Sequence, residues 1–415
     1  MHKKKILIIC NSNLSREPRV IRQIVALKEE YVIQTLGLIS PGIEGVEHFN
    51  LNLNEARSSH LSYPLVFRKT YSAAIKIFNG LKEFYLKYYF EKDYWTNKRK
   101  LIVKDFKKKK YDVIIAHHWD TLPMAVEIAG SSTRLIFNAH DYYTKEFENN
   151  KLWAAYTQRM VTYIMSKYVP KFDHVFAAWN KIKIDYTEQY KVPAVVINNA
   201  TEFNDLFPVI KNENENIKII HHGIANSDRQ IEKMIEVIDH LDERFTLDLM
   251  LVYNDHEKEY FNFLKEKALL NKRIHFIDPV PTREIAKRIN GYDIGLFLLP
   301  LNGFNPTYTL PNKLFEFVQA RIACLVTPNI EMKNIVEKYD LGWISTEFEP
   351  SSIAEKIENI THSEITAKKM NAHKNAKELS AERNYILIKE KVDEVLSGKD
   401  DEREVSQEIK LKKSN

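Results

Sequence analysis

Leu310-Pro-Asn-Lys-Leu-Phe-Glu-Phe-Val-Gln-Ala-Arg321, continued by Ile322-Ala-Cys-Leu-Val-Thr-Pro328, is the stretch that decides how this sequence is read. Leu314, Phe317 and Val318 recur at helical spacing. Pro311 suits the first position of a helix, since its missing N–H is one the helix cannot pair anyway. The apolar run that follows has the length of one strand covered on both faces. Loop, helix and strand in that order make half of an α/β repeat. The helix N-terminus offers free N–H groups, which favour an anion without any glycine-rich loop. Lys313 and Glu316, three residues apart, share one face of that helix. They suit a diphosphate and the two hydroxyls of a ribose, and they suit equally an ordinary surface ion pair.

The same rhythm extends outward in both directions. Short apolar runs at 5–10, 32–39, 113–116, 134–138, 174–178 and 194–197 read as strands, and 218–221, 248–252, 274–277, 294–299, 323–327 and 342–345 repeat the theme. Helical patterns separate them. One spans 230–241, with Ile231, Ile235, Ile238 and Leu241 apolar. A second covers 257–270, and a third opens with Thr282 as its N-cap. Residues 202–216, with Pro208 and the polar run Lys211-Asn-Glu-Asn-Glu-Asn216, read as a linker. The expected fold is therefore α/β: two Rossmann-like domains, 1–201 and 217–379, whose parallel sheets face each other across a cleft. A helix over 380–397 returns towards the first domain, and 398–415 is a charged, disordered tail.

Composition narrows the function. With 415 residues, 44% of them hydrophobic and 28% charged, the chain is expected to be neither disordered nor membrane-embedded, and the apolar run 6–10 is too short to be expected to serve as a secretory signal. The cytoplasm is its expected compartment. Two cysteines, Cys10 and Cys324, exclude a disulfide scaffold and a cysteine-cluster metal site. Glycine is scarce, 11 residues in all, and no G-x-G-x-x-G, Walker A or G-x-S-x-G motif occurs. The net charge of +5 is uneven: 57–110 carries 15 Lys/Arg against 4 Asp/Glu, together with 12 aromatics. Leu81, Phe84, Tyr85, Tyr88 and Tyr89 form one helical stripe there. That segment either packs on a domain core or lies on anionic lipid at the inner face of a membrane. Nucleic acid is not expected, because no recognition motif accompanies the charge.

The motif 310–321 resembles the signature helix of the retaining, nucleotide-sugar-dependent glycosyltransferases of family 4, which have the GT-B fold, and in particular their bacterial surface and capsular polysaccharide branch. Other stretches resemble that family in the same order. They are Asn11-Ser-Asn-Leu-Ser-Arg16 through Gln23, Tyr111 to Asp120, Leu135 to Asp141, Val196-Ile-Asn-Asn-Ala200 and Ile219-Ile-His-His-Gly223. The resemblance implies a nucleotide-sugar donor, and a polysaccharide or lipid-linked saccharide acceptor. Catalysis would fall to His140, Arg229 and Lys313. Donor contacts would come from Gly223, Arg229, Tyr308, Asn312, Lys313, Leu314 and Glu316, and acceptor contacts from Arg16, Arg19, His118 and Asp141. Glu316 would bind the nucleotide ribose, Arg229 the diphosphate, and His140 would lie beside the transferring sugar.

Two positions depart from the family pattern. Tyr308 stands where the first signature glutamate is usual, and Ile224 where a second diphosphate cation often sits. No cofactor and no metal are implied, since side-chain cations supply the counter-charge. Adjacent His117 and His118 on a strand are expected to point to opposite faces and not to chelate one ion. His221 and His222 read as strand-end packing, and Cys324 as inert core. Two other readings remain at this stage: a nucleotide-sugar 2-epimerase on a similar fold, and a non-catalytic donor-binding or assembly protein.

Overall fold

In the computed structural model every strand pairing among the described residues is parallel, and their strands fall into two sheets. The structure describes residues 3–51, 88, 90–155 and 157–398. The chain forms two units, Met1–Ile197 with Tyr385–Asn415, and Asn198–Asn384.

In the first unit the strands are β1 (Lys5–Cys10), β2 (Val32–Gly37), β3 (Glu47–Asn50), β4 (Val113–His117), β5 (Arg134–Ala139), β6 (His174–Ala177) and β7 (Ala194–Val196), in the order β3-β2-β1-β4-β5-β6-β7. Ile6 to Cys10 are fully buried, so β1 has no solvent face, which is why its sequence shows no alternation. Helix Pro18–Leu27 covers it with Val20, Ile24 and Leu27. The C-terminal helix Ala381–Ser397 adds Ile388, Val392 and Val395 to the same core, each burial worth about 1.5–3 kcal/mol. A hydrogen bond from Tyr31 to Asp393 and a Lys389–Glu30 ion pair of 3.1 Å tie that helix down. Strand β3, Glu-His-Phe-Asn, is an edge strand that the sequence pattern does not announce, because its residues are mostly polar.

The second unit repeats the plan with β8 (Ile217–Ile224), β9 (Phe245–Val252), β10 (Ile274–Phe276), β11 (Ile294–Phe297), β12 (Ala323–Val326) and β13 (Gly342–Ile344), in the order β10-β9-β8-β11-β12-β13. The helices expected over 230–241 and 257–270 occupy Glu232–Asp239 and Lys258–Ala268. Thr282 does not cap a helix. It opens the 3-10 turn Thr282–Glu284, after which helix Ile285–Ile289 follows.

The helix of the deciding motif is Asn312–Gln319, with Pro311 at the cap rather than inside the first turn. It buries Leu314, Phe315, Phe317 and Val318. Gly295 on β11 lets it settle, because a Cβ there would lie 2.4 Å from the Phe317 ring. Its far end is clamped. The fully buried Arg321, at φ 59°, donates to Val318 O (2.9 Å), Gln319 O (2.8 Å) and Asn204 O (2.6 Å). Residues 202–212 form no helix or strand, yet they are pinned to this unit. Asn204 N donates to Gln319 Oε1 at 3.0 Å, and Lys211 pairs with the buried Asp293.

Both sheets reverse their strand order at one point, between β1 and β4 and between β8 and β11. In open parallel sheets, ligands bind outside the carboxyl ends of the strands at such a reversal.

Most of the 57–110 segment, including Leu81, Phe84, Tyr85 and Tyr89 of the aromatic stripe, lies outside the described residues, as does the tail beyond 398. In the described part, Phe90 and Phe106 are buried, Phe90 stacks on Tyr94 at 4.9 Å, and the Arg99 guanidinium lies 4.3 Å from the Tyr94 ring. Lys100, Lys104, Lys107 and Lys108 of helix Asn97–Lys109 are exposed. Among the described residues, no helix is long and apolar enough to cross a membrane.

Candidate functional site

In the second unit, the reversal point is lined by β8 and β11. Gly223, next to last in β8, sits at φ 135°, a backbone region that side-chain-bearing residues rarely adopt. A Cβ there would fall 2.6 Å from both Cε and Nζ of Lys313. The lysine therefore lies directly on the glycine, and its ammonium is 5.1 Å from the centre of the Phe297 ring at the end of β11. Lys313 is the second residue of helix Asn312–Gln319, whose cap Pro311 brings no side-chain hydrogen bond, so the helix's first N–H groups lack a capping side chain.

Arg229 closes the 3-10 turn Ser227–Arg229, which Asn226 caps by accepting from Asp228 N at 2.8 Å. Both cations are half-buried. Among the described residues, neither has a hydrogen bond or an ion pair within salt-bridge distance. Burial, reinforced by the Arg229 charge and opposed by Glu316, pulls the Lys313 pKa down to about 8. Burial also lowers that of Arg229. Like charges that oppose each other out of water, with no anion in ion-pair contact among the described residues, are costly unless a ligand anion joins them.

Glu316 is almost fully buried one turn along, with Oε2 3.5 Å from His222 Nε2. That approach is a contact, not an ion pair: burial, Lys313 and His221 hold His222 far below its ordinary pKa, hence neutral. His221 donates from Nδ1 to Leu296 O at 2.8 Å, and burial holds its pKa down to about 3. Both histidines pack at the strand end, as expected. Of the other donor-side residues, Leu314 is buried core, Asn312 begins the helix, and Tyr308 ends the short helix Phe304–Tyr308, its ring 4.8 Å from that of Phe304. Ile224 is exposed beside Gly223. Cys324 is fully buried and its pKa is pushed up to about 12, which leaves it inert.

In the first unit, the reversal point gathers imidazoles. His117 ends β4, and His118 follows at φ 63°. That turn breaks the strand's alternation, so the two rings do not diverge to opposite faces. Their centres lie 5.2 and 4.2 Å from the ring of His140, which follows β5. A non-glycine residue held at such a φ stores strain, a feature that clusters at functional sites. His117 Nδ1 is 2.9 Å from His140 Nε2, and its Nε2 is 2.9 Å from Gln23 Oε1. Tyr143 Oη accepts from His140 N (3.0 Å) and reaches His118 Nδ1 (3.2 Å).

Burial raises the pKa of Asp141, while Arg19 and His118 oppose the rise. Buried Arg19 donates to Ala139 O at 3.5 Å. His140, His118, Asp141 and Arg19 thus cluster at the carboxyl ends of β4 and β5, whereas Arg16 is exposed on the 3-10 turn Leu14–Arg16. Sequence reasoning passed over Gln23, Asn138 and Tyr143, which lie within or close to the quoted motifs. A thiol, a carboxylate and an imidazole also approach within 4.8 Å of one another at Cys10, Glu17 and His118, the one grouping of metal-ligand types found among the described residues.

Two parallel-sheet Rossmann-like units, each with its polar cluster at a reversal point, have the architecture of the GT-B glycosyltransferases. Residues 202–379, nearly all of the second unit, match the family model Glycosyl transferases group 1. No curated protein matches the sequence. Solved structures are similar in fold at low identity. One is Anabaena HepE in complex with UDP and glucose, at 14% identity and a TM-score of 0.65, covering 95% of this chain and 100% of that one. Another is sucrose-phosphate synthase from Thermosynechococcus elongatus, at 12% and 0.67, covering 95% and 100%. A third is WaaG, a glycosyltransferase involved in lipopolysaccharide biosynthesis, at 11% and 0.61, covering 92% and 99%.

Proposed function

We propose that this chain transfers a sugar from a nucleotide-sugar to a saccharide or lipid-linked saccharide, retaining the anomeric configuration. The observation that carries the reading is a pair of half-buried cations without an acceptor among the described residues: Lys313, packed on Gly223 at the start of helix Asn312–Gln319, and Arg229, whose charge it feels. A diphosphate supplies the missing negative charge. Glu316, one turn along the same helix, accepts the hydroxyls of the nucleotide ribose. The match of 202–379 to the group 1 glycosyl transferases supports the same reaction class.

The chemistry follows from where charge develops. Breaking the bond between the anomeric carbon and the diphosphate leaves negative charge on phosphate oxygen, and fixed cations with helix N–H groups stabilise it without reorganising. In retaining transfer, the acceptor attacks from the face the diphosphate leaves, and the departing phosphate takes the acceptor proton. No carboxylate nucleophile is needed, and side-chain cations take the role that a metal ion serves elsewhere. His140 is assigned to the transferred sugar, and Arg16, Arg19, His118 and Asp141 to the acceptor. The exposed lysines of Asn97–Lys109 favour action at an anionic membrane surface on the cytoplasmic side.

The test incubates the protein with nucleotide-sugars, with and without saccharide acceptors, and follows products by NMR. Release of nucleoside diphosphate with a glycosylated product of retained configuration is expected. Epimerised nucleotide-sugar without transfer, or no turnover of any donor, would overturn the proposal.

A further inference from the structure

The three-residue chain Gln23–His117–His140 has a direction that its hydrogen bonds define. Gln23 faces His117 Nε2 with its carbonyl oxygen, at 2.9 Å, and a carbonyl only accepts, so that nitrogen carries a proton. The neutral His117 ring then has a bare Nδ1. Only one proton fits between His117 Nδ1 and His140 Nε2 at 2.9 Å, since two lone pairs facing each other there would repel. It must belong to His140. The Asn138 amide nitrogen borders both rings, 3.0 Å from His117 Nδ1 and 3.2 Å from His140 Nε2, so the direction of the chain is set from Gln23. Gln23, His117 and Asn138 are all buried to 1% exposure or less, so water does not scramble the chain.

We propose that Gln23 and His117 are positioning residues that fix His140 with its proton on Nε2, so that its Nδ1 serves as an acceptor for a hydroxyl of the bound substrate. This rests on the reading of His140 as the residue beside the transferred sugar. The surroundings keep both rings neutral. Burial, His118, Arg19, His117 and Arg22 all depress the His140 pKa, and burial, His118 and Arg19 depress that of His117. Among the described residues none hydrogen-bonds His140 Nδ1, so a substrate hydroxyl meets no competitor from them.

Histidine labelled with ¹⁵N reports the tautomer directly, and His140→Gln assigns the signal. In the unmodified protein His140 is expected to show a protonated Nε2 and a bare Nδ1. Gln23→Ala should turn that signal into a tautomer mixture and lower kcat roughly 10-fold to 100-fold, with KM for the donor unchanged. Gln23→Asn, which retains a carbonyl, should recover part of the loss. A His140 protonated on Nδ1 in the wild type overturns the relay whatever the activity. The expected tautomer with full activity in His140→Ala overturns instead the role of His140 on which the relay rests.

Discussion

Replacing Lys313 by Met removes one charge but keeps an unbranched apolar chain against Phe297 and Gly223. Burial draws the lysine pKa from 10.5 to about 8. A lysine whose folded pKa lies below its unfolded value withholds stability while it is charged in both states. The penalty is complete below about pH 8 and fades as pH rises to 10.5. The gap, 10.5 minus about 8, sets a ceiling of about 3.5 kcal/mol at roughly 1.4 kcal/mol per pH unit. Lys313 keeps some solvent contact, so screening reduces this to about 1–2 kcal/mol.

For a unit of this size, that energy moves Tm by roughly 3–6 °C. The wild type should therefore gain on Lys313→Met by that amount between about pH 7 and about pH 10. Calorimetric scans of both proteins across that range, at constant ionic strength, read the difference, in which other titrating groups cancel. Bound diphosphate should return the proton. At about pH 8, wild type should take up roughly half a proton per UDP-glucose bound, measured by titration in two buffers of different ionisation enthalpy, and the variant none. A melting difference that stays flat with pH would refute the buried-cation argument.

Gly223→Ala places a Cβ where the Lys313 ammonium lies and forces alanine to φ 135°, so it should destabilise the protein by about 1–3 kcal/mol in urea unfolding and weaken donor binding about 10-fold or more. Unchanged binding would show that the lysine position is immaterial. Chelation by EDTA should leave transfer activity within about twofold, since side-chain cations hold the diphosphate; loss restored by a divalent cation would contradict this. Vesicle flotation should show binding to anionic but not neutral lipid, weakened by Lys104→Glu, Lys107→Glu and Lys108→Glu together, at about 1 kcal/mol per lysine. Equal flotation with both lipids would reject the electrostatic contribution.

The two sheets were legible because parallel strands covered on both faces must be apolar throughout, as 6–10 and 323–326 are. Strand β3 escaped because an edge strand with polar residues carries no such mark. Pro311 and Thr282 were displaced by one position each in role, since several residue types fit either side of a helix start. Lys313 and Glu316 were visible from their spacing, and Gly223 from the family resemblance of 219–223. What the sequence could not tell is that Lys313 and Arg229 lack acceptors among the described residues, because partnership depends on tertiary packing. His118 shows the same limit: a single backbone angle, not its neighbours in sequence, brings it beside His140. Arg321 closes the quoted motif without a sequence mark of its role, yet it is fully buried and its guanidinium holds the end of the signature helix.

The central claim is that the second unit holds a nucleotide-sugar by its diphosphate and ribose. Calorimetric titration of UDP-, GDP- and dTDP-sugars into wild type, Arg229→Ala and Glu316→Ala tests it most directly. One nucleotide class should bind the wild type, and each substitution should weaken that binding about 10-fold or more, as loss of a charged contact to a buried ligand does. If no nucleotide-sugar binds, or if both variants bind as the wild type does, the claim is contradicted.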